Sequence, residues 1–133
     1  MSSTVGRLII AAVGLTKTRF FIRTVGFART VTAMNALPYV WPQALGVDPL
    51  LVAEIDWAAK RFGGSCLDRS VFLWFVLRQQ RLDPELRIGV TRADGGIDGH
   101  AWVELDGAVI NDAPDIADHF TVFDEDPTSL VFR

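Results

Sequence analysis

Three residue types that together make an activated nucleophile stand in this 133-residue chain: its only cysteine, Cys66; one of its two histidines, His100; and an aspartate twelve residues further on, Asp112. A thiol attacks a carbonyl as its thiolate, an imidazole takes the proton, and a carboxylate orients the ring. Spacing must first bring them together. Ser65 is a good N-cap and Asp68 the acidic third residue of a capping box, so a helix opens with Cys66 in its first turn. Unpaired amides and the positive end of the helix dipole then face the sulfur, favour its anion and suit an oxyanion formed by its attack.

A hairpin must supply the other two. With a three-residue loop Leu105-Asp106-Gly107, Gly107 left-handed in a bulge, Glu104 pairs with Ala108, Trp102 faces Ile110 and His100 faces Asp112. Ring and acid then share one face of the sheet. A two-residue turn pairs Ala101 with Asp112 instead and sends His100 to the other face. Register therefore decides whether a triad exists. Trp102 and Glu104 fall on the face of His100 and are candidates to line a substrate cleft, with sheet packing and solvent as their ordinary roles.

Each residue also has a plainer account. A lone cysteine commonly packs as a small hydrophobe, a strand histidine is commonly core or surface, and Asp112 suits the turn into Ala113-Pro114. The capped thiol and the hairpin together are more specific than any part. His119, among Asp115, Asp118 and Phe120, has no positional link to Cys66 and reads as a surface residue. Cys66, His100 and His119 contain no close-spaced ligand pair, so neither a metal nor another cofactor is expected.

Upstream, Asp48-Pro49 starts a helix in which Leu51, Ile55, Ala58, Ala59 and Phe62 follow at helical spacing and which ends at Gly63. Val71 to Leu77 is apolar on every side, as a fully covered central helix requires. After Asp83-Pro84, Leu86, Ile88 and Val90 alternate as a half-buried strand. Asp94-Gly95-Gly96 turns into a second strand, Gly99 to Leu105, and a third follows from Ala108 to Asp112. Phe120-Thr121-Val122-Phe123 reads as a further strand before an acidic tail. Helices followed by an antiparallel sheet make an α+β fold. The chain divides into a basic helical segment and connector, 1–47, and a core, 48–133.

The first 47 residues hold five basic residues and no acidic one, a charge of +5. From Asp48 onward eight basic residues meet sixteen acidic ones, which leaves −8 there and −3 overall. So the first third meets something anionic: the acidic body, a partner or a membrane surface. No basic cluster or motif points to nucleic acid. Val5, Leu8, Ile9, Ala12 and Val13, continued by Phe20, Phe21, Val25 and Ala28, form a stripe expected to pack on the body, with a partner or a membrane surface as the alternative. The apolar run 8–15 is too short to span a bilayer and lacks the small residues of a signal-peptide cleavage site. Pro38, Pro42 and Gly46 mark a connector pinned by Tyr39 and Trp41. One unpaired thiol fits a reducing, cytoplasmic setting.

Ser65-Cys66-Leu67-x-Arg69-Ser70, Leu86-x-Ile88-Gly89-Val90 and His100-Ala101-Trp102-Val103-Glu104 together resemble the B2 proteins of lasso-peptide biosynthesis, over about residues 48–125. These are leader peptidases of the transglutaminase-like cysteine superfamily. The resemblance implies a papain/transglutaminase-like core with the nucleophile, Cys66, at the start of a central helix, His100 as base and Asp112 as orienter. It also implies cleavage between leader and core of a ribosomally made precursor peptide, recruitment by a separate leader-binding B1 protein, and a separate ATP-dependent lasso cyclase acting on the product. The residues alone leave two other functions open: a different Cys-His-Asp acyl-transfer enzyme, such as a transglutaminase or amine acyltransferase, and a non-catalytic peptide-binding module.

Overall fold

A computed structural model describes residues 4–123. Four helices come first: α1 (Thr4–Val25), α2 (Phe27–Ala36), α3 (Pro49–Phe62) and α4 (Cys66–Gln79). Strands β1 (Glu85–Ala93), β2 (Gly96–Leu105), β3 (Ala108–Val109) and β4 (Thr121–Val122) follow, with a 3₁₀ turn (Ile116–His119) before the last. They form one antiparallel sheet in the order β3-β2-β1-β4. The expected α+β succession is what is found. The acidic tail lies outside the described residues.

Local chemistry sets the helix ends. The Asp48 side chain accepts from the Leu50 amide with Pro49 in the first turn, and α3 stops at Gly63, whose N–H reaches Ala59 O at φ 92°. In α4 the Ser65 hydroxyl accepts from the Asp68 amide at 3.1 Å, while the Asp68 carboxylate accepts from the Ser65 amide at 2.9 Å. From Val71 to Leu77 every α4 residue except Phe75 is buried, and Leu86 and Val103 of the sheet join α4 in the core.

The N-terminal helices belong to that core, which includes Ala11, Leu15 and Val31. The face α1 turns inward is not its apolar stripe, however. Ala11, Leu15 and Thr18 are buried, whereas Val5, Ile9, Val13 and Phe20 stay outside. Close approach to α4 accompanies the reversal: a Cβ on Gly14 would stand 2.2 Å from the Phe72 ring, so position 14, beside buried Leu15, has no room for a side chain. No helix among the described residues is long and apolar enough to cross a membrane.

The acidic body meets part of the basic excess. Arg7 pairs with Asp48 at 2.7 Å and Glu54 at 2.8 Å, and these contacts hold the Asp48 carboxyl below its ordinary pKa and raise that of Arg7. Arg19 lies 4.0 Å from the Asp68 carboxylate and bonds Phe62 O at 3.4 Å. In the connector Trp41 packs on the core as expected; Tyr39 is exposed beneath Arg81. Gln79 does most of the pinning, accepting from the Val40 amide and donating to Pro38 O.

Candidate active site

Cys66 is the first residue of α4 and is partly exposed. The capping box occupies the Ser65 and Asp68 amides, so the Cys66 and Leu67 amides have no partner within the helix. One turn on, Ser70 is fully buried, and its hydroxyl donates to Ala101 O of β2 at 3.1 Å. The thiol therefore sits one turn, about 5.4 Å along the axis, from the point where α4 touches the residue after His100. Among the described residues no hydrogen bond joins Cys66 to His100.

The hairpin does bring ring and acid together. His100 Nε2 lies 2.6 Å from Asp112 Oδ2, with both side chains about a quarter exposed (23% and 25%). Facing an ionised carboxylate, Nε2 is the protonated nitrogen and donates, which leaves Nδ1 to accept. The second carboxylate oxygen accepts from the Ala113 amide at 2.8 Å and fixes the acid's orientation.

The three-residue loop expected for this hairpin is not what forms. Glu104 pairs with Val109 and Leu105 with Ala108 across a two-residue turn at Asp106 and Gly107, with φ 52° and 80°. Both central residues are left-handed, the type I′ turn whose twist matches the strands. A regular ladder in that register would carry Asp112 away from His100. Instead β3 stops after Val109 rather than running to Asp112. Ile110 still donates to Val103 O at 2.9 Å, but the Val103 amide donates to the Asn111 side-chain oxygen at 2.8 Å. That side chain replaces a backbone rung, the chain bends out, and Asp112 swings to the imidazole. Asn111 Nδ2 also donates to Ser70 Oγ at 3.1 Å.

Trp102 is wholly buried, its indole N–H donating to Glu104 Oε2 at 2.9 Å, and Arg87 lies 3.8 Å from the same carboxylate. Trp102 thus backs the site while Glu104 anchors the indole. Beyond the residues singled out from sequence, Phe120 stacks on His100 with centroids 5.2 Å apart and planes 15° from parallel. Gly89, the cross-strand partner of His100, leaves the space: a Cβ there would lie 2.7 Å from Phe120 Cβ. Gly89 stood out from sequence only as part of the Ile88-Gly89-Val90 string that carries the family resemblance; nothing local pointed to Phe120. His119 stays at the surface, 3.3 Å from Asp115. Among the described residues no three His, Cys, Asp or Glu side chains are grouped to hold a metal ion.

A thiol at a helix start and an imidazole locked to a carboxylate make a donor set suited to acyl transfer. Residues 12–124 match the transglutaminase-like superfamily. The chain is also similar to the microcin J25-processing protein McjB of Escherichia coli, 39% identical over 64 residues that are 48% of this chain and 30% of that protein. It spans, then, less than a third of the length of that relative. No solved structure matches it. With more than half its length inside the family match, the chain belongs to the transglutaminase-like superfamily.

Proposed function

We propose that this chain is a cysteine peptidase that cuts the leader from a ribosomally made lasso-peptide precursor, with Cys66 as nucleophile, His100 as base and Asp112 as orienter. The 2.6 Å contact between His100 and Asp112 carries the reading, because it commits Nε2 and leaves Nδ1 to serve the thiol. Similarity to a microcin-processing protein supports the substrate class. The thiol proton passes to Nδ1 as the sulfur attacks the scissile carbonyl. The Cys66 amide donates to the oxyanion. As the intermediate collapses, the C–N bond breaks and Nδ1 returns the proton to the leaving amine. Water, deprotonated by Nδ1, then opens the thioester, and the thiol is regenerated.

Recruitment is assigned to a separate leader-binding B1 protein, with the released core passing to the lasso cyclase in the cytoplasm, where a single thiol stays reduced. The surface assigned to B1 is an apolar groove of about 360 Å³ between α1, α2 and α4, lined by Phe21, Val25, Met34 and Phe75 with Lys17 and Arg29 at its edge. An apolar partner segment flanked by acidic residues complements it.

The test is mass spectrometry of a leader–core peptide incubated with this chain and B1. Two fragments summing to the substrate plus one water are expected, and Cys66→Ala should abolish them while circular dichroism stays native. Cleavage retained by that variant ends the proposal. An amide adduct formed with added amine would instead assign the same residues to a transglutaminase or amine acyltransferase. Binding without turnover would make the chain a peptide-binding module.

A further inference from the structure

We propose that Asn111 and Ser70 are positioning residues, a polar clip that sets the acid against the imidazole and holds the nucleophile's helix to the hairpin. The proposal deepens the peptidase reading and rests on it for its kinetic part only.

Three bonds define the clip. Asn111 Oδ1 accepts from the Val103 amide, Asn111 Nδ2 donates to Ser70 Oγ, and Ser70 Oγ–H donates to Ala101 O. One side-chain amide thus meets β2 and α4 at once, and the hydroxyl that receives it lies one helical turn after the thiol. The strand leg acts on the acid. In the type I′ register Asp112 falls opposite Ala101, and only the substitution of a side-chain oxygen for the next backbone acceptor lets the chain leave the ladder at Ile110. Asp112 follows Asn111 directly, so where Asn111 is held fixes where the carboxylate goes. The helix leg acts on the thiol, because Ser70 and Cys66 are four residues apart on one face of α4. Alanine at position 111 strands the Val103 amide, itself in a buried residue, and frees the bend.

The experiment separates the legs. In a Cys66→Ala background, with pH raised until the ring signals stop changing, long-range proton–nitrogen NMR of the His100 ring should show one protonated and one bare nitrogen, the signature of Nε2–H held by Asp112. Asn111→Ala should average the two signals, as Asp112→Ala does in the same background. Asn111→Asp keeps the acceptor for Val103 and should keep the signature, which decides the matter if the alanine variant does not fold. With Cys66 restored, Ser70→Ala should leave the signature intact and lower kcat about tenfold with KM within about twofold. An unaltered ring spectrum in Asn111→Ala, or an averaged one in a folded Asn111→Asp, overturns the strand leg. Unchanged kcat in Ser70→Ala overturns the helix leg. If the parent cleaves nothing, the peptidase reading falls while the ring spectra still decide the role of Asn111.

Discussion

Replacing Gly89 with alanine probes the stacked wall beside the imidazole without touching any proposed triad residue. The new Cβ would lie 2.7 Å from Phe120 Cβ and 3.3 Å from Trp102 Cη2, where ordinary contact begins at 3.4 Å. Trp102 is fully buried and has little room to move, so Phe120 must retreat by about 0.7 Å. Overpacking of this kind costs about 1–3 kcal/mol, part of it the loss of an aromatic stack. Replacing glycine by alanine recovers about 0.4–1 kcal/mol through the unfolded chain. A net loss of about 1 kcal/mol is expected, a fall in Tm of about 3 °C for a chain of this size. Cleavage should fall further than stability does, by about tenfold in kcat, since the ring loses the surface that fixes its tilt. Thermal unfolding followed by circular dichroism gives the first number and precursor turnover the second. Adding Phe120→Gly removes the clashing Cβ, so Gly89→Ala should cost clearly less on that background. A Gly89→Ala protein that melts within about 1 °C of the parent, with His100 ring protons unshifted, refutes the packing account.

Two further outcomes are expected. Ser65→Ala removes the oxygen that accepts from the Asp68 amide and should lower stability by about 1 kcal/mol, read as a shift in urea midpoint at unchanged slope. Arg7→Ala should cost about 1 kcal/mol at pH 7: the pair with partly exposed Asp48 is weak, whereas the Glu54 carboxylate, only 12% exposed, loses its partner. The Asp48 carboxyl is depressed in the folded chain, first by its bond to Arg7, so its contribution is present above the ordinary carboxylate range and fades as pH falls below it. The urea midpoints of parent and Arg7→Ala should therefore converge in acid; an equal gap at pH 7 and in acid would remove Asp48 from the account.

What the sequence made legible was chemistry that acts within a few residues. Ser65 with Asp68, Asp48 with Pro49, and Gly63 each satisfy a helix end from next door, and each appears where expected. The hairpin was only half legible. Asp106-Gly107 is compatible with a two- or a three-residue loop, and the acid reaches His100 by neither ladder but through Asn111, whose second partner, Ser70, is 41 residues away. The stripe on α1 misled for a related reason. Periodicity finds where apolar side chains lie, whereas the inward face holds Ala11, Leu15 and Thr18, beside a Gly14 that Phe72 leaves no room for a side chain. Phe120 reaches the imidazole because β4 pairs with the far edge of β1, a long-range event that no local pattern encodes.

Arg19 has a wider consequence. It extends from the middle of α1 to Phe62 O, at the end of α3, and to the carboxylate that closes the cap of α4. The first helix is thereby geared to the doorstep of the thiol, more than forty residues downstream. One guanidinium on α1 therefore touches both the residue that ends α3 and the carboxylate that caps α4, on either side of the Gly63-Gly64 link that leads to the thiol.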